Sequence, residues 1–291
     1  MTNPRIDYHV HPNYSIDASS ATIRDYCHKA LDLGLAEICF CTHVELDPRR
    51  KDKENFVRLN GEKRPVYELS WLDSYFAEIW QAQQEFKNSG LKLKAGVEIG
   101  YCPCVENDIE RIINDYPFDF VMGAIHCINH ISISSQKESP SYFKSRGAET
   151  VRQEYFSVLM EAVKTGLFDC MAHIDLYRRY GFQYLGSAAY TIHRGAIEPV
   201  LAEMSKRGIG MEINTSSRRR GLSEFHPTEE ILELAVKSGI KVYTVGSDAH
   251  SPEHLGQGID EALSLLNNLG VCCYVFDRRK AVPFASAKWD F

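Results

Sequence analysis

The strongest constraint on the fold of this chain is the alternation of short apolar segments with longer helical segments along almost the whole sequence. Strands are predicted at residues 6–11, 37–43, 91–98, 118–126, 170–174, 209–214, 242–247 and 271–276. Helices are predicted between them, at residues 22–33, 69–87, 151–165, 188–206, 228–236 and 260–269. Glycine follows most of these helical runs, where it suits the left-handed residue that ends a helix.

Repeated strand–helix alternation implies parallel strands joined by crossover helices. Seven or eight such units in 291 residues predict a (β/α) barrel, with an open doubly wound sheet as the alternative. No glycine-rich phosphate loop follows the first predicted strand, which disfavours an open nucleotide-binding sheet. The sequence contains no internal repeat and no linker, so we predict one domain over residues 1–291.

Composition and charge disfavour several classes of function. The formal net charge of −6 and the pI near 6.0 disfavour a nucleic-acid partner, although a small phosphorylated partner stays possible where bound metals add positive charge. No apolar run approaches the ~20 residues needed to span a bilayer, and the N-terminus lacks a signal-peptide pattern, so no membrane partner is expected. The nine scattered cysteines predict free thiols in the cytoplasm.

Side chains that can bind metals collect at the predicted strand ends. His9 and His11 end the first strand, and Asp248 and His250 follow the seventh. A spacing of one residue on a strand directs both side chains to the same face, so both can reach one metal ion. The other candidates follow the first strand or end the second to fifth strands; they are Asp17, His43, Glu98, His126 and His173.

These nine residues, six histidines and three carboxylates, are expected to share one small volume. All strand C-termini of a parallel barrel meet at one rim, where barrel enzymes have their active sites. So many ionisable groups would be costly to bury together without counter-charges. Divalent cations remove this cost, because they pair with carboxylates and bind neutral imidazole nitrogens. A single histidine at a strand end is usually a hydrogen-bonded rim residue, so the prediction of a multinuclear metal site depends on the whole set.

Seven segments of the chain form a more specific pattern. In chain order they read DYHVHPNYSID, CTH, AGVEIGY, FDFVMGAIHCI, MAHIDLYRRYG, MEINTSS and VGSDAHSPEHLG. Together they resemble the polymerase-and-histidinol-phosphatase (PHP) superfamily and, within it, the monofunctional histidinol-phosphate phosphatases. The resemblance extends over about residues 5 to 280. It implies an α/β fold, a distorted (β/α)7 barrel of the TIM type, with a trinuclear metal site.

The resemblance also implies which residues would bind the three divalent ions, described for the family as zinc, manganese or iron. Glu98 would bridge the first and second metals. The three ligand sets would be His9, His11, Glu98 and Asp248; Glu98, His126 and His173; and Asp17, His43 and His250.

The activity implied by the resemblance is hydrolysis of L-histidinol phosphate to L-histidinol and phosphate, in histidine biosynthesis. The expected mechanism is in-line attack by a metal-bridging hydroxide, without a covalent intermediate. Another small phosphate ester or a nucleotide is an alternative substrate. A non-catalytic metal-binding module and an amidohydrolase are alternatives of other classes. The full ligand set disfavours the module, and three metals suit a charged phosphoryl group better than a neutral amide.

Arginines are expected to bind the remaining phosphate oxygens, since their planar fork is bidentate. One pair of arginines follows the fifth predicted strand, and three consecutive arginines follow the sixth. We predict Arg179 from the first group and Arg219 from the second as the phosphate-binding residues. His130, Asp175 and a metal-bound water are the candidates for the general acid.

Two further segments lie outside every motif. Residues 45–65 hold seven lysines and arginines and form either a solvated surface loop or a lid over the mouth of the barrel. Residues 282–291 contain Phe284, Trp289 and Phe291, which are expected to fold back on the barrel or to pack against a partner. The sequence does not indicate an oligomeric state.

Overall fold

The computed structural model describes residues 5–286. The strands in chain order are β1 Arg5–Val10, β2 Leu35–Glu45, β3 Phe56–Leu59, β4 Glu62–Pro65, β5 Lys92–Gly100, β6 Phe120–Ala124, β7 Cys127–Ile128, β8 Ile131–Ser132, β9 Cys170–Met171, β10 Gly210–Asn214, β11 Tyr243–Gly246, β12 Tyr274–Asp277 and β13 Lys280–Pro283. The α-helices are α1 Ile23–Asp32, α2 Ser70–Glu85, α3 Glu106–Asp115, α4 Ser139–Phe143, α5 Ala148–Thr165, α6 Arg178–Leu185, α7 Ile197–Arg207, α8 Ser216–Arg219, α9 Glu229–Lys237 and α10 Ile259–Asn268. Short 3₁₀ turns occupy Pro48–Arg50, Gly186–Tyr190, Pro252–His254 and Phe284–Ser286.

Seven strands form one parallel sheet in the order β1-β2-β5-β6-β9-β10-β11. The two outer strands meet through Ala249, three residues beyond the end of β11. The Ala249 amide donates to the His9 carbonyl at 3.1 Å, and the His11 amide donates to the Ala249 carbonyl at 2.8 Å. These bonds close the sheet, so the prediction of a distorted (β/α)7 barrel is confirmed. The assignment of residues 1–291 to one domain stays a prediction.

The barrel strands are apolar along nearly their whole length, as expected for a parallel sheet covered on both faces. All eleven residues of β2 are buried. The helix α1 packs against β2 and begins at a capping box, in which the Thr22 side chain accepts from the Asp25 amide and the Asp25 carboxylate accepts from the Thr22 amide. The helix α7 ends at Gly208, whose φ of 72° favours glycine.

The last predicted strand is not part of the barrel. Residues 271–276 overlap β12, which pairs antiparallel with β13. An apolar run alone cannot distinguish a barrel strand from a hairpin strand, because both bury side chains against a core. The predicted helix at 188–206 is also wrong in its first part, where a 3₁₀ turn and further turns precede α7. The helices α3, α4, α6 and α8 were not predicted.

The β12–β13 hairpin covers the end of the barrel where the strands begin. The Phe276 amide donates to the Tyr8 hydroxyl at 2.7 Å. The Arg279 guanidinium donates to the Asp169 carboxylate at 3.0 Å and to the Leu167 carbonyl at 2.6 Å. Since Asp169 directly precedes β9, the hairpin lies at the end opposite to the predicted metal ligands.

The chain beyond this hairpin was predicted to fold back on the barrel or to pack against a partner. Phe284 is partly buried against the core, whereas Trp289 and Phe291 lie outside the described residues. Within residues 5–286, none of the helices combines the length and the apolar character that crossing a membrane requires.

Replacing Arg279 with alanine is expected to lower the free energy of unfolding by about 1.5–3 kcal/mol, because the charged hydrogen bonds to the mostly buried Asp169 are lost. Urea denaturation of the purified protein measures this change. Lys280→Ala, at the neighbouring exposed position, is the control and should alter the stability by less than about 0.5 kcal/mol. Equal stability of the two variants would contradict a stabilising role for the hairpin contact.

Candidate metal centre

The carboxylate of Glu98, fully buried on β5, lies at the centre of the predicted site. Five histidines surround it. The distances to its oxygens are 2.8 Å from His173 Nε2, 3.0 Å from His43 Nδ1, 3.4 Å from His126 Nε2, 3.4 Å from His9 Nε2 and 3.5 Å from His11 Nε2. The ends of four different strands of the barrel, β1, β2, β6 and β9, thus place these histidines around one negative charge.

Two further carboxylates and the sixth histidine extend this cluster. Asp248 Oδ1 lies 3.4 Å from His11 Nε2 and 3.2 Å from His250 Nδ1. Asp17 Oδ1 lies 3.2 Å from His250 Nε2 and 3.7 Å from His43 Nε2. The structure therefore brings together all nine residues that the strand-end pattern predicted.

The backbone at two of these positions adopts conformations that residues other than glycine rarely take. The φ angles of His173 and Asp248 are 25° and 54°. Such conformations cost of order 1–3 kcal/mol each and persist where the surrounding structure enforces them, often at functional sites. Both residues lie directly after barrel strands, where the chain turns across the rim.

The ionisable groups in the cluster shift one another's pKa values. Burial opposes ionisation of Glu98, yet the histidines around it hold the pKa of its carboxyl well below the usual range. Burial also opposes charge on His250, but Asp17 and Asp248 raise the pKa of its imidazole to about 10. The pKa of His11 is lowered by its burial and by the neighbouring His250 and His43. A cation bound among these carboxylates would favour neutral imidazoles, since histidine binds metals in its deprotonated form.

The donor set fits divalent metal ions. Four buried atoms at the centre have no hydrogen-bond partner in the described residues, namely His9 Nε2, His11 Nε2, His43 Nδ1 and Glu98 Oε2. Unpaired buried polar atoms are costly. Four groups of three residues within the described part of the chain also have potential ligand atoms within 4.8 Å of one another. The first is His11, His43 and His250, and the second is His9, Glu98 and His173. The third is His9, His11 and Asp248, and the fourth is His43, Glu98 and His126. Imidazole nitrogen with carboxylate oxygen is ligand chemistry that zinc, manganese and iron accept.

A second layer of carboxylates behind the histidines was not predicted. Glu212 on β10 contacts His9 Nδ1 at 2.6 Å and accepts from the His173 amide at 3.0 Å. Glu45, the last residue of β2, contacts His126 Nδ1 at 2.6 Å. A carboxylate on one ring nitrogen orients the imidazole and leaves the other nitrogen for a metal. The feature of the sequence that could have indicated this layer is a glutamate within a predominantly apolar strand, such as Glu212 in β10.

The loop that carries Asp17 is fastened from two sides. The Ser15 hydroxyl contacts His11 Nδ1 at 3.1 Å and accepts from the His43 amide at 3.1 Å. The Arg58 guanidinium donates to the Ile16 carbonyl at 3.1 and 3.0 Å. Because Arg58 lies on β3, the charged segment 45–65 is joined to the loop that carries Asp17.

Segment 45–65 is ordered and borders the site. It contains the turn Pro48–Arg50 and the β3–β4 hairpin. Arg50 is only 2% exposed, and Glu54 lines the cavity beside the ligand cluster. The segment therefore borders the cavity through Glu45 and Glu54, whereas its β4 strand is exposed to solvent along its whole length.

The cavity at this rim has a volume of about 310 Å³. Arg179 and Tyr180, at the start of α6, contribute to its wall together with polar residues of the segment after β8. The lining residues outside the predicted ligand set are Ile16, Glu45, Glu54, Ser132, Ser134, Ser135, Gln136, Leu176, Arg179 and Tyr180. A cavity of this size and polarity suits a small polar molecule.

The two predicted phosphate-binding arginines occupy different positions. Arg179 lines the cavity. Arg219 instead donates to the Ser247 carbonyl at 2.6 Å and to the Asp248 carbonyl at 3.1 Å, so it holds the turn that carries Asp248. Burial lowers the pKa of Arg219, and the neighbouring Arg179 lowers it further. Of the two arginines, only Arg179 is part of the cavity wall.

Neither side chain proposed as general acid is part of the cavity wall. Asp175 is fully buried and contacts Arg178 Nη1 at 2.7 Å and the ring of His226. These partners hold the pKa of its carboxyl below the usual range despite burial, which disfavours Asp175 as a proton donor. His130 contacts Asp47 at 2.7 Å, outside the set of lining residues.

Comparison with known proteins identifies the family of the chain. The family model of the PHP domain matches residues 7–216. A protein of Deinococcus radiodurans named probable histidinol-phosphatase is 27% identical over 277 residues, which cover 95% of this chain and 98% of the relative. The histidinol-phosphatase of Lactococcus lactis subsp. lactis is 27% identical over 267 residues, covering 91% of each chain.

A solved structure shares the fold. The crystal structure of histidinol phosphate phosphatase from Lactococcus lactis, complexed with zinc, L-histidinol and phosphate, has a TM-score of 0.75 and 24% sequence identity. The similarity covers 96% of this chain and 98% of that chain, and at this identity it shows the fold alone. The family match, which spans residues 7–216, includes seven of the nine clustered residues. This chain belongs to the PHP domain family.

Proposed function

We propose that this chain is a metal-dependent phosphomonoesterase that hydrolyses L-histidinol phosphate to L-histidinol and phosphate, in histidine biosynthesis. The observation that carries the chemistry is the arrangement of five histidines around the buried carboxylate of Glu98 at the wall of a polar cavity. The names of the relatives support the choice of substrate.

The proposal assigns three divalent metal ions to this cluster, with zinc, manganese and iron as the candidate elements. Zinc is the ion in the Lactococcus lactis structure. The proposed ligand sets are His9, His11, Glu98 and Asp248; Glu98, His126 and His173; and Asp17, His43 and His250. When bound, such ions neutralise the phosphoryl oxygens and lower the pKa of coordinated water toward ~7.

The residues of the chain contribute positioning and charge. Phosphate monoesters hydrolyse very slowly in water, so most of the rate enhancement must come from these two effects. Glu212 and Glu45 orient the imidazoles of His9 and His126. Arg179, in the cavity wall, would donate to phosphoryl oxygens from its planar fork.

Arg219 has a supporting role in this proposal. It holds the carbonyls of Ser247 and Asp248 and so maintains the turn on which the Asp248 carboxylate depends. The proposal also includes a cytoplasmic location and a small phosphorylated molecule as the partner. The nine cysteines are free thiols, which suits a reducing compartment.

The substrate assignment is tested by phosphate release from L-histidinol phosphate, compared with glycerol phosphate, phosphoserine and a nucleoside monophosphate, using metal-loaded protein. We expect a strong preference for L-histidinol phosphate. His43→Ala should lower the rate by more than about 100-fold, since even an outer partner of a metal ligand is typically worth 10- to 100-fold. His28→Ala, at an exposed position of α1, is the control and should retain full activity.

The other outcomes of this assay separate the alternatives. Comparable or faster turnover of another ester would remove the substrate assignment and keep the metallophosphatase. Metal-loaded protein that hydrolyses none of the esters would contradict the phosphatase proposal and favour a metal-binding module or an amidohydrolase.

Arg179→Ala is expected to lower kcat/KM by about 10- to 100-fold, because charge-assisted hydrogen bonds to the phosphoryl group are lost. Arg179→Lys should restore part of this loss, since it keeps the charge without the planar fork. The control is Arg218→Ala, because Arg218 is exposed and pairs with Glu261 on α10. Steady-state kinetics would contradict the assignment if Arg179→Ala and Arg218→Ala behaved alike.

Glu212→Gln is expected to weaken metal affinity by about 10- to 100-fold, because the imidazole of His9 loses the carboxylate that orients it. Titration of chelator-treated protein with Mn²⁺ or Zn²⁺, followed by calorimetry, measures the affinity without any assay of turnover. Glu233→Gln makes the same change on the exposed face of α9 and should leave the affinity unchanged. Wild-type affinity in Glu212→Gln would refute the role of this carboxylate.

A further inference from the structure

One carboxylate of the cavity wall has no role in the proposed metal centre. Among the lining carboxylates, Asp17, Glu98 and Asp248 belong to the nine clustered residues, and Glu45 contacts His126. The fifth, Glu54, contacts no histidine within residues 5–286; its side-chain partners there are Arg50 and, at 3.8 Å, the thiol of Cys127. A carboxylate in a cavity that receives a phosphate ester requires a separate explanation, because it repels the phosphate.

Glu54 is held in a fixed orientation by a buried arginine. Arg50, whose side chain is 1% exposed, donates to the two oxygens of Glu54 at 2.9 and 2.6 Å. The same guanidinium donates to the two oxygens of Glu138 at 2.7 and 3.0 Å and to the His130 carbonyl at 2.8 Å. Bidentate pairs of this kind restrict both partners geometrically.

The ion-paired group of Arg50, Glu54 and Glu138 carries an excess of negative charge. One guanidinium serves two carboxylates, so Arg50, Glu54 and Glu138 together carry one net negative charge. Lys53 also contacts Glu138, at 3.3 Å, but it is mostly exposed and its contribution is screened by solvent. Each oxygen of Glu54 accepts one hydrogen bond from Arg50. Oε2 also faces the Cys127 thiol at 3.8 Å, whereas Oε1 has capacity for another donor.

Four of the residues that line the cavity with Glu54 are neutral hydrogen-bonding groups. They lie at the end of β8 or in the segment after it, and they are Ser132, Ser134, Ser135 and Gln136. The cavity therefore offers two kinds of recognition. The ligand cluster and Arg179 suit a phosphoryl group, whereas Glu54 and the neutral polar side chains suit a cationic nitrogen group with hydrogen-bond donors.

We propose that Glu54 is a specificity residue that binds a cationic nitrogen group of the substrate, so that the cavity selects phosphate esters carrying a positive charge. This inference rests on the proposed function and deepens it. The Glu54 carboxylate attracts an amino-alcohol phosphate and repels esters that are purely anionic, such as sugar phosphates and nucleotides. In L-histidinol phosphate the cation is either the ammonium group or the imidazolium ring.

The test compares kcat/KM of metal-loaded wild-type, Glu54→Gln and Glu138→Gln proteins. The substrates are L-histidinol phosphate, its deamino analogue, L-alaninol phosphate, which lacks the ring, and propyl phosphate, which lacks both nitrogen groups. Glu138→Gln is the matched control, since it disturbs the same arginine from a residue outside the cavity wall. Thermal unfolding of each variant verifies that it is folded.

We expect Glu54→Gln to lower kcat/KM for L-histidinol phosphate by about 10- to 100-fold, mainly through KM, and to leave propyl phosphate unchanged within about 3-fold. Glu54→Asp should retain more selectivity than Glu54→Gln, because it keeps the charge. A loss that falls on L-alaninol phosphate and spares the deamino analogue would identify the ammonium group as the bound cation. The reverse pattern would identify the imidazolium ring.

Three results would overturn the inference while the proposed function stands. They are unchanged selectivity in Glu54→Gln, an equal loss for all four esters, and the same change in selectivity in Glu138→Gln. If wild-type protein with bound metal hydrolyses none of the esters, the proposed function fails and this inference fails with it.

Discussion

The buried carboxylate of Glu98 is the interaction on which the rest of the site depends. A charge with no exposure to solvent is tolerated only where polar or oppositely charged groups surround it, and five imidazoles do so here. The closed parallel barrel makes this possible, because its strands end at one rim and direct histidines from different segments to the same point. Cations are the natural complement of such a cluster, since they pair with its carboxylates and bind histidine in its deprotonated form.

The surroundings of this charge are arranged so that the ligand side chains stay in place. Glu212 and Glu45 orient imidazoles from behind, and Arg219 holds the turn at Asp248. Arg58 fastens the loop that carries Asp17. Each of these residues acts on a ligand through hydrogen bonds rather than by joining the cluster. The orientation of the clustered side chains therefore depends on surrounding residues that the strand-end pattern in the sequence does not include.

One end of the barrel contributes to stability, and the other end holds the candidate site. At the end where strands begin, the β12–β13 hairpin covers the core and Arg279 pairs with Asp169. At the other end, segment 45–65 borders the cavity and presents Glu54 from the buried pair with Arg50. The same barrel can thus keep its closed core while the segments at the rim set which small molecule enters, which is the usual division in barrel enzymes.

The sequence by itself determined the barrel and the nine clustered residues. Strand–helix alternation and the position of ligand-type residues at strand ends can be read from the local sequence. In a parallel barrel all strands end at the same rim, so residues at the strand ends lie close together. Only the tertiary structure showed which partners Glu212, Glu54, Asp175 and Arg219 contact. Glu212 and His9 are 203 positions apart in the chain, yet their side chains lie 2.6 Å apart. The local sequence pattern indicates which way a side chain points, but it does not indicate which distant residue that side chain contacts. For a buried charged residue, this contact determines whether it can bind a metal, orient a neighbouring side chain or form a structural ion pair.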